Sequence, residues 1–425
     1  MPVITVQTDK IQLNATLSTP VMLTSNQVQT VYLRVGLTGF SIEQKKAAPI
    51  NVALVIDKSG SMRGEKIRRA KEAAMMAVDI LRPNDIIAVV TYNHSADILL
   101  PAGMVQEKEM LKATIKKLLS GGQSALYDGV EKGAKEVRKS LERNKINRII
   151  LVSDGLANVG PSQPEELGAL GASLAKDNIA VTTIGLGLNY NEDLMTQLAE
   201  TSDGNHAFVE NADELIRFFD HEFGDILSVV SQEVNVTIIG VDGVRPIRVL
   251  GREAEVQGQQ VFVKLNQLYS QQEKYVLVEL EVPPTLAVLQ EHMIAGVAVI
   301  YRNMDTDIME RFSSKVTINF TDSPQKVKEN TYRTVMTAVA EQLAVEKNKL
   351  AVKLRDEGCI KEAHQVLLTN AAFLAEEAAK YSSERLEKLK DINMNDAQNL
   401  DEEKWSKQRK SMRRQQYKWQ NQQTY

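Results

Sequence analysis

The sequence predicts a doubly wound α/β domain inserted into an antiparallel β-sandwich and followed by a C-terminal α-helical hairpin. Three observations predict this fold class. Apolar and polar residues alternate on both sides of a central region, which is typical of half-buried antiparallel strands. In the central region, short and almost purely apolar segments alternate with segments of helical periodicity, as in a parallel sheet covered on both faces. From residue 324 onward, the apolar residues follow helical spacing alone.

Length and composition indicate a globular protein with more than one domain. The chain has 425 residues, which is more than one hydrophobic core usually serves. Its net charge of -4 argues against non-specific nucleic-acid binding, which needs a positive surface. No apolar stretch reaches the roughly 18 residues of a membrane span, and the first residues lack the pattern of a signal peptide. We therefore expect a cytoplasmic protein with no membrane partner. The single cysteine, Cys359, excludes an internal disulfide and a cysteine-rich zinc site.

Residues 1–48 have the alternation expected of half-buried strands, most clearly at 11–17 and 31–37. The same alternation returns in residues 228–321, for example at 276–282. Because an isolated hairpin is only marginally stable, we expect the two segments to form one discontinuous β-sandwich domain. The alternative is an N-terminal extension that packs on the edge of the α/β sheet.

Residues 49–226 have the pattern of a doubly wound α/β domain. Four almost purely apolar segments predict buried parallel strands, and these are 51–56, 85–92, 148–153 and 179–187. Six segments with helical spacing lie between and after them, and these are 65–82, 107–119, 126–141, 162–176, 192–201 and 211–222. This alternation predicts an open, mostly parallel sheet with helices on both faces.

The C-terminal part is predicted to be helical. In residues 324–395, a turn at 356–358 separates two apolar stripes and predicts a helical hairpin. The first stripe consists of Val335, Val339, Leu343, Leu350 and Leu354. Residues 396–425 form a basic, glutamine-rich tail, with seven Lys/Arg and no acidic residue in 404–425. We expect a solvated helical or frayed tail; the alternative is that 404–425 binds an acidic partner or nucleic acid.

Oxygen-bearing side chains follow several of the predicted strands. The stretch DKSGS supplies Asp57, Ser59 and Ser61 after the first buried strand, and VSDG supplies Asp154 at the end of a later one. Between them, the glycine-rich stretch SGGQS adds Ser124. Because ligands of open α/β sheets bind at the carboxyl ends of the strands, we expect these side chains to lie together. Five oxygen donors without nitrogen or sulfur suit a hard cation, Mg²⁺ or alternatively Mn²⁺ or Ca²⁺.

Each part of this pattern also has a purely structural interpretation. Asp57 and Ser59 could cap the following helix, and Asp154-Gly155 could form an ordinary turn. Three such loops at one sheet edge favour a binding site over separate coincidences. The patterns HExxH, GxSxG and GxxxxGK[ST] do not occur, the five histidines are scattered, and a lone GLG at 185–187 is a weak nucleotide signal. We therefore expect that the protein is not an enzyme.

DxSxS after an apolar strand, then GGxSALYDG and LVSDG in this order, resembles the von Willebrand factor A (vWA) family with its metal-ion-dependent adhesion site. The resemblance implies that Ser59 and Ser61 ligate the cation directly, and that Asp57 and Asp154 hold it mainly through waters. Ser124 stands where the family has a threonine and keeps the hydroxyl group. The family leaves one metal position open for a Glu or Asp of a partner, so the resemblance implies metal-bridged binding between proteins.

The flanking segments resemble those of bacterial vWA proteins that combine a β-sandwich with C-terminal helices. The function implied is that of a scaffold for protein–protein interaction. Proteins of this kind are also found beside MoxR-type AAA+ ATPases, as in metal-insertion chelatases. The alternative function is therefore that of an adaptor for an AAA+ ATPase.

Overall fold

A computed structural model describes residues 4–40 and 48–422. Within this range, residues 48–230 and 304–307 form one compact unit, and the remaining residues form a second. The predicted fold class is confirmed: along the chain, the α/β unit comes between two groups of β-sandwich strands, and helices follow the last of these strands.

The chain begins with strands of the sandwich unit. Their bounds are β1 (Ile4–Gln7), β2 (Ile11–Leu17), β3 (Val21–Leu23) and β4 (Gln29–Gly39). Every second side chain of β2 is buried, as the apolar alternation predicts. β2 pairs antiparallel with β1 along one edge and with β4 along the other. The second partner of β4 comes from much later in the chain.

The α/β unit contains a six-stranded sheet with the spatial order β10-β9-β8-β5-β6-β7. Its strands are β5 (Ile50–Asp57), β6 (Ile86–Tyr92), β7 (Ala96–Met104), β8 (Ile146–Ser153), β9 (Ile179–Leu186) and β10 (His206–Val209). Neighbours are parallel except β7, which is antiparallel to β6. The four predicted strands are β5, β6, β8 and β9, in which every residue is buried. The sequence missed β7 because this edge strand is mostly exposed, and β10 because it has only four residues.

The helices of this unit correspond to the six predicted ones. They are α1 (Glu65–Ile80), α2 (Lys108–Lys116), α3 (Leu126–Arg138), α4 (Pro164–Lys176), α5 (Glu192–Thr201) and α6 (Ala212–Leu227). α6 continues beyond the predicted end at residue 222, because Phe223 and Ile226 extend its buried face. α3 lies close to the sheet at Gly133, where a Cβ atom would be only 2.6 Å from Val55.

The chain then returns to the sandwich unit. Its later strands are β11 (Val229–Gly240), β12 (Arg245–Leu250), β13 (Glu255–Gln257), β14 (Gln260–Tyr269), β15 (Glu273–Val282), β16 (His292–Asn303) and β17 (Met309–Thr321). One sheet has the order β1-β2-β4-β15-β12, and the other has the order β13-β14-β11-β16-β17-β3. Strands from before and after the α/β unit therefore share both sheets. The division of the chain into four domains stays a prediction.

Helices complete the described part of the chain. They are α7 (Pro324–Glu329), α8 (Arg333–Asp356), α9 (Ile360–Tyr381), α10 (Glu384–Gln398) and α11 (Glu402–Gln420). α8 and α9 form the predicted hairpin, and Val335 and Val339 of α8 pack against Leu277 of β15. The prediction that Leu350 belongs to the buried stripe is wrong, because this side chain is 47% exposed. The buried face of α8 contains Asn348, Ala351 and Val352 instead. No helix within residues 4–40 and 48–422 has the length and apolar character needed to cross a membrane.

The basic C-terminal segment is helical, but one side of the helix is buried, so the expectation that the segment is solvated or frayed is wrong for the described residues. Met412 of α11 is fully buried, and Gln416 donates a hydrogen bond of 2.6 Å to an asparagine of α8. Trp405 and Trp419 pack against apolar clusters of the neighbouring helices. The sequence missed this packing because the face that α11 buries consists largely of glutamine, tyrosine and the stem of a lysine rather than aliphatic residues.

A buried carboxyl group of α8 is expected to make the stability of the sandwich unit depend on pH. Glu341 is 1% exposed, and burial raises its pKa from 4.5 to about 7, although the charges of Arg385 and Arg34 lower it. The folded state therefore binds this proton more tightly than the unfolded chain does. Its contribution to stability is complete below the unfolded-state pKa of 4.5 and is lost as the pH rises to about 7.

Glu341→Gln should remove this pH dependence. Because glutamine carries no charge, the variant should gain up to roughly 3 kcal/mol over the wild type at pH 8 and gain little at pH 4.5. Urea unfolding at both pH values measures this difference. Glu346→Gln, on an exposed part of the same helix, is the matched control. Equal pH dependence in the wild type and Glu341→Gln would contradict the prediction.

Candidate metal site

The five predicted ligands lie together at one edge of the α/β sheet. Hydrogen bonds connect Ser124 to Asp57 (3.1 Å), Ser59 to Ser61 (3.0 Å) and Ser61 to Asp154 (2.7 Å). β5 and β8 are adjacent parallel strands, so the two aspartates follow their carboxyl ends side by side. All of these side chains except that of Ser61 belong to buried residues.

Backbone hydrogen bonds hold together the two loops that carry the serines. The Gly60 N–H donates to the Gly122 carbonyl (2.9 Å), and the Gly121 N–H donates to the Lys58 carbonyl (2.6 Å). Gly122 has a φ of 94°, and a Cβ atom there would lie 3.0 Å from the Asn93 side chain. This position therefore requires glycine for both its backbone conformation and its close contact. The loop before Ser124 is thereby fixed against the loop that follows β5.

Asp57 is the most enclosed of the five residues. Its Oδ1 accepts a hydrogen bond from the Ser59 N–H (2.7 Å), and its Oδ2 accepts from the hydroxyls of Ser124 and Ser153 (3.1 and 2.9 Å). Burial raises the pKa of Asp57, hydrogen bonds from Ser59 and Ser153 lower it, and the charge of Asp154 raises it again. The negative charge of Asp57 is therefore costly unless a positive charge lies nearby.

Sequence reasoning missed Ser153 and Lys66, which contact these aspartates. Ser153 stands next to Asp154 in the VSDG stretch, so the motif itself could have indicated it. Lys66, in the first turn of α1, places its Nζ 2.5 Å from Asp154 Oδ2. The sequence gives no signal for Lys66, because three other basic residues follow it within five positions.

The arrangement of oxygen atoms suits a small hard cation. Two carboxylates and three hydroxyls converge without nitrogen or sulfur, which is the chemistry that Mg²⁺ prefers. The Oγ atoms of Ser59 and Ser61 are 3.0 Å apart. Adjacent ligands of an octahedral Mg²⁺ ion, at about 2.1 Å from the metal, are also separated by about 3.0 Å. The two hydroxyls can therefore serve as neighbouring ligands without a change in their spacing.

The hydroxyls are essential to this candidate site. In the described residues, no group of three or more His, Cys, Asp or Glu side chains is placed to hold a metal ion. The two aspartates alone would provide too few ligands for a hard cation, which takes six or more oxygen atoms including water. Ser59, Ser61 and Ser124 supply the additional protein oxygens.

Comparison with known proteins identifies the α/β unit. Residues 51–221 match the model of the von Willebrand factor type A domain family. These residues are a von Willebrand factor type A (vWA) domain. The match includes all five candidate ligands, and it confirms the resemblance found in the sequence motifs. The binding of a metal by these residues stays a prediction.

Curated relatives match more of the chain than this domain. The Synechocystis sp. protein sll0103 is 25% identical over 284 residues, which are 63% of this chain and 65% of the relative. The E3 ubiquitin-protein ligase WAV3 of Arabidopsis thaliana is 26% identical over 278 residues, which are 62% of this chain and 35% of the relative. The matched part is thus less than two thirds of the length of either relative.

A solved structure shares the fold of nearly the whole chain. The von Willebrand factor type A protein from Catenulispora acidiphila has a TM-score of 0.73 and covers 93% of this chain and 92% of its own. Its sequence identity is 16%, so the likeness concerns the fold alone. That fold includes the β-sandwich and the C-terminal helices as well as the vWA domain.

Proposed function

We propose that the vWA domain binds Mg²⁺ through Asp57, Ser59, Ser61, Ser124 and Asp154, and that a Glu or Asp side chain of a partner protein ligates the same cation. One observation carries this proposal: two buried carboxylates and three hydroxyls, from three separate loops, meet at the carboxyl edge of the sheet. Mn²⁺ and Ca²⁺ are the alternative cations, because they prefer the same oxygen donors.

The protein residues have distinct parts in this function. Ser153 and Ser124 donate hydrogen bonds to Asp57, which fixes the orientation of the carboxylate. Ser61 is the exposed member of the set, so a partner reaches the site from its side. When bound, the cation supplies a positive centre that an incoming carboxylate can ligate. The three hydroxyls carry no charge and Asp154 is already paired with Lys66, so the bound cation keeps part of its charge, which favours an anionic ligand from outside.

A binding role agrees with the surroundings of the two acids. Asp57 accepts three hydrogen bonds, and Asp154 is held by Ser61 and Lys66, so neither acid is available as a general base. We therefore propose an interaction module and not an enzyme. WAV3 is named as a ubiquitin-protein ligase. The part that matches this chain covers 35% of WAV3, so that name does not assign ligase activity to this chain.

The first test replaces two hydroxyl ligands. The variant Ser59→Ala/Ser61→Ala should bind Mg²⁺ at least about a hundredfold more weakly than the wild type, because two metal contacts are lost and no buried charge is added. Isothermal titration calorimetry measures this difference. Ser173→Ala, at an exposed position of α4, is the matched control. Unchanged affinity in the double variant would contradict the assignment of the ligands.

The second part of the test concerns the partner. Proteins retained by the immobilised wild type in Mg²⁺ should be released by EDTA and should not bind the double variant. Recovery of an AAA+ ATPase among them would assign the adaptor role to this chain. A set of partners that is the same with Mg²⁺, with EDTA and with the double variant would contradict metal-bridged binding.

A further inference from the structure

The candidate site contains a cation of its own, the ammonium group of Lys66. Its Nζ lies 2.5 Å from Asp154 Oδ2, while Asp154 Oδ1 accepts the hydroxyl of Ser61. The carboxylate of Asp154 is completely buried, whereas the Lys66 side chain is 28% exposed. A Cβ atom at Gly187, in the loop after β9, would lie 3.5 Å from the same Nζ. The ammonium group is thus held between the ends of β8 and β9, at the site and in contact with solvent.

Lys66 changes the charge that the site offers to a metal ion. Asp57 and Asp154 carry two negative charges, and Lys66 reduces the net charge to one. Lys58, which precedes Ser59 in the loop after β5, is paired with Asp97 at 2.8 Å and adds no net charge. A divalent cation bound here would therefore leave one positive charge in excess. One carboxylate from outside neutralises that excess.

We propose that Lys66 makes cation binding depend on the incoming carboxylate: it weakens the binding of Mg²⁺ alone and leaves the loaded site positive until an acidic ligand arrives. This inference rests on the proposed metal site and concerns its regulation. The physical reason is that the ammonium group and the cation compete for Asp154 and repel each other in a partly buried environment, where charges are weakly screened. Without Lys66, the two aspartates would neutralise the cation by themselves.

Lys66→Met separates this role from a purely structural ion pair, because methionine keeps most of the aliphatic stem and removes the charge. The variant should bind Mg²⁺ at least about tenfold more tightly than the wild type in calorimetry. In EDTA its thermal midpoint should be lower, because the buried carboxylate of Asp154 loses its counter-ion. Lys66→Gln, which can still donate a hydrogen bond to Asp154, is the second variant and should also bind Mg²⁺ more tightly.

Two controls keep the positive charge at or near the site. Lys66→Arg should bind Mg²⁺ like the wild type, because the charge beside Asp154 is retained. Lys71→Met removes a lysine of the same helix whose Nζ contacts only a backbone carbonyl, that of Lys116, among the bonds described. This variant should also bind like the wild type.

The dependence on a carboxylate is measured with acetate as the probe. Mg²⁺ titrations in sodium acetate and in sodium chloride of equal ionic strength should give a larger gain in affinity for the wild type than for Lys66→Met. If the wild type binds Mg²⁺ and both charge-removing variants bind it equally or more weakly, the inference is overturned while the metal site stands. If none of these proteins binds Mg²⁺, the proposed function is overturned together with the inference.

Discussion

Asp57→Asn is expected to abolish Mg²⁺ binding and to stabilise the metal-free protein. Asparagine has nearly the same shape as aspartate. Its oxygen can keep the hydrogen bond from the Ser59 N–H, and its NH2 group can donate to the hydroxyls of Ser124 and Ser153, which rotate to accept. The negative charge is lost, and with it the main attraction for a cation at the end of β5. Burial and the charge of Asp154 both raise the pKa of Asp57, so ionisation of this carboxyl group is less favourable in the metal-free fold than in water.

The two effects have opposite signs, which makes the experiment decisive. In EDTA, the free energy of unfolding of the variant should exceed that of the wild type by about 1 kcal/mol or more. In excess Mg²⁺ the order should reverse, because a bound cation stabilises only the wild type by mass action. Thermal unfolding with and without Mg²⁺ measures both. Asp177→Asn, at the end of α4, is the matched control. If Mg²⁺ stabilises Asp57→Asn as much as the wild type, Asp57 does not take part in binding the cation.

The part of the site that the sequence predicted is the part that follows strand ends. Asp57 and Asp154 come directly after apolar segments, and the rule that parallel strands end at one edge brings them together. Ser124 follows a glycine pair that marks a tight loop. Lys66 could not be predicted in this way, because its role depends on the direction in which α1 leaves Gly64, which has a φ of 83°. Such a contact is set by three-dimensional packing and leaves no pattern in one sequence.

The same distinction applies to the fold. Strands that are buried on both faces can be recognised in the sequence as apolar segments. The exposed edge strand β7 has no such segment. The sequence did not predict the burial of α11, because its buried face consists largely of long polar side chains that hydrogen-bond to other helices, for example Gln416 to Asn348. Binary patterns predict burial only where the buried residues are apolar. Polar contacts between helices can be identified only when the positions of both helices are known.

Leu33→Lys is expected to unfold the β-sandwich while leaving the vWA domain folded. Leu33 is fully buried in β4, between Leu17 of β2 and Val278 of β15. We propose that residues 1–48 and 228–321 fold as one domain, so a charge at this position should act on both segments. An unpaired buried ammonium group costs more than about 4 kcal/mol, which is most of the stability of an ordinary domain.

Hydrogen exchange with mass spectrometry reads the two segments separately. In Leu33→Lys, amide protection should be lost in β2, β4 and β15, while the central vWA strands β5 and β8 keep theirs, because their hydrogen bonds lie within their own sheet. Thr30→Lys is the matched control, since Thr30 is an exposed residue of β4 opposite Glu281. Protection of β15 that survives in Leu33→Lys would mean that the later strands fold without β4. Residues 1–48 would then be an extension of the chain and not half of a domain.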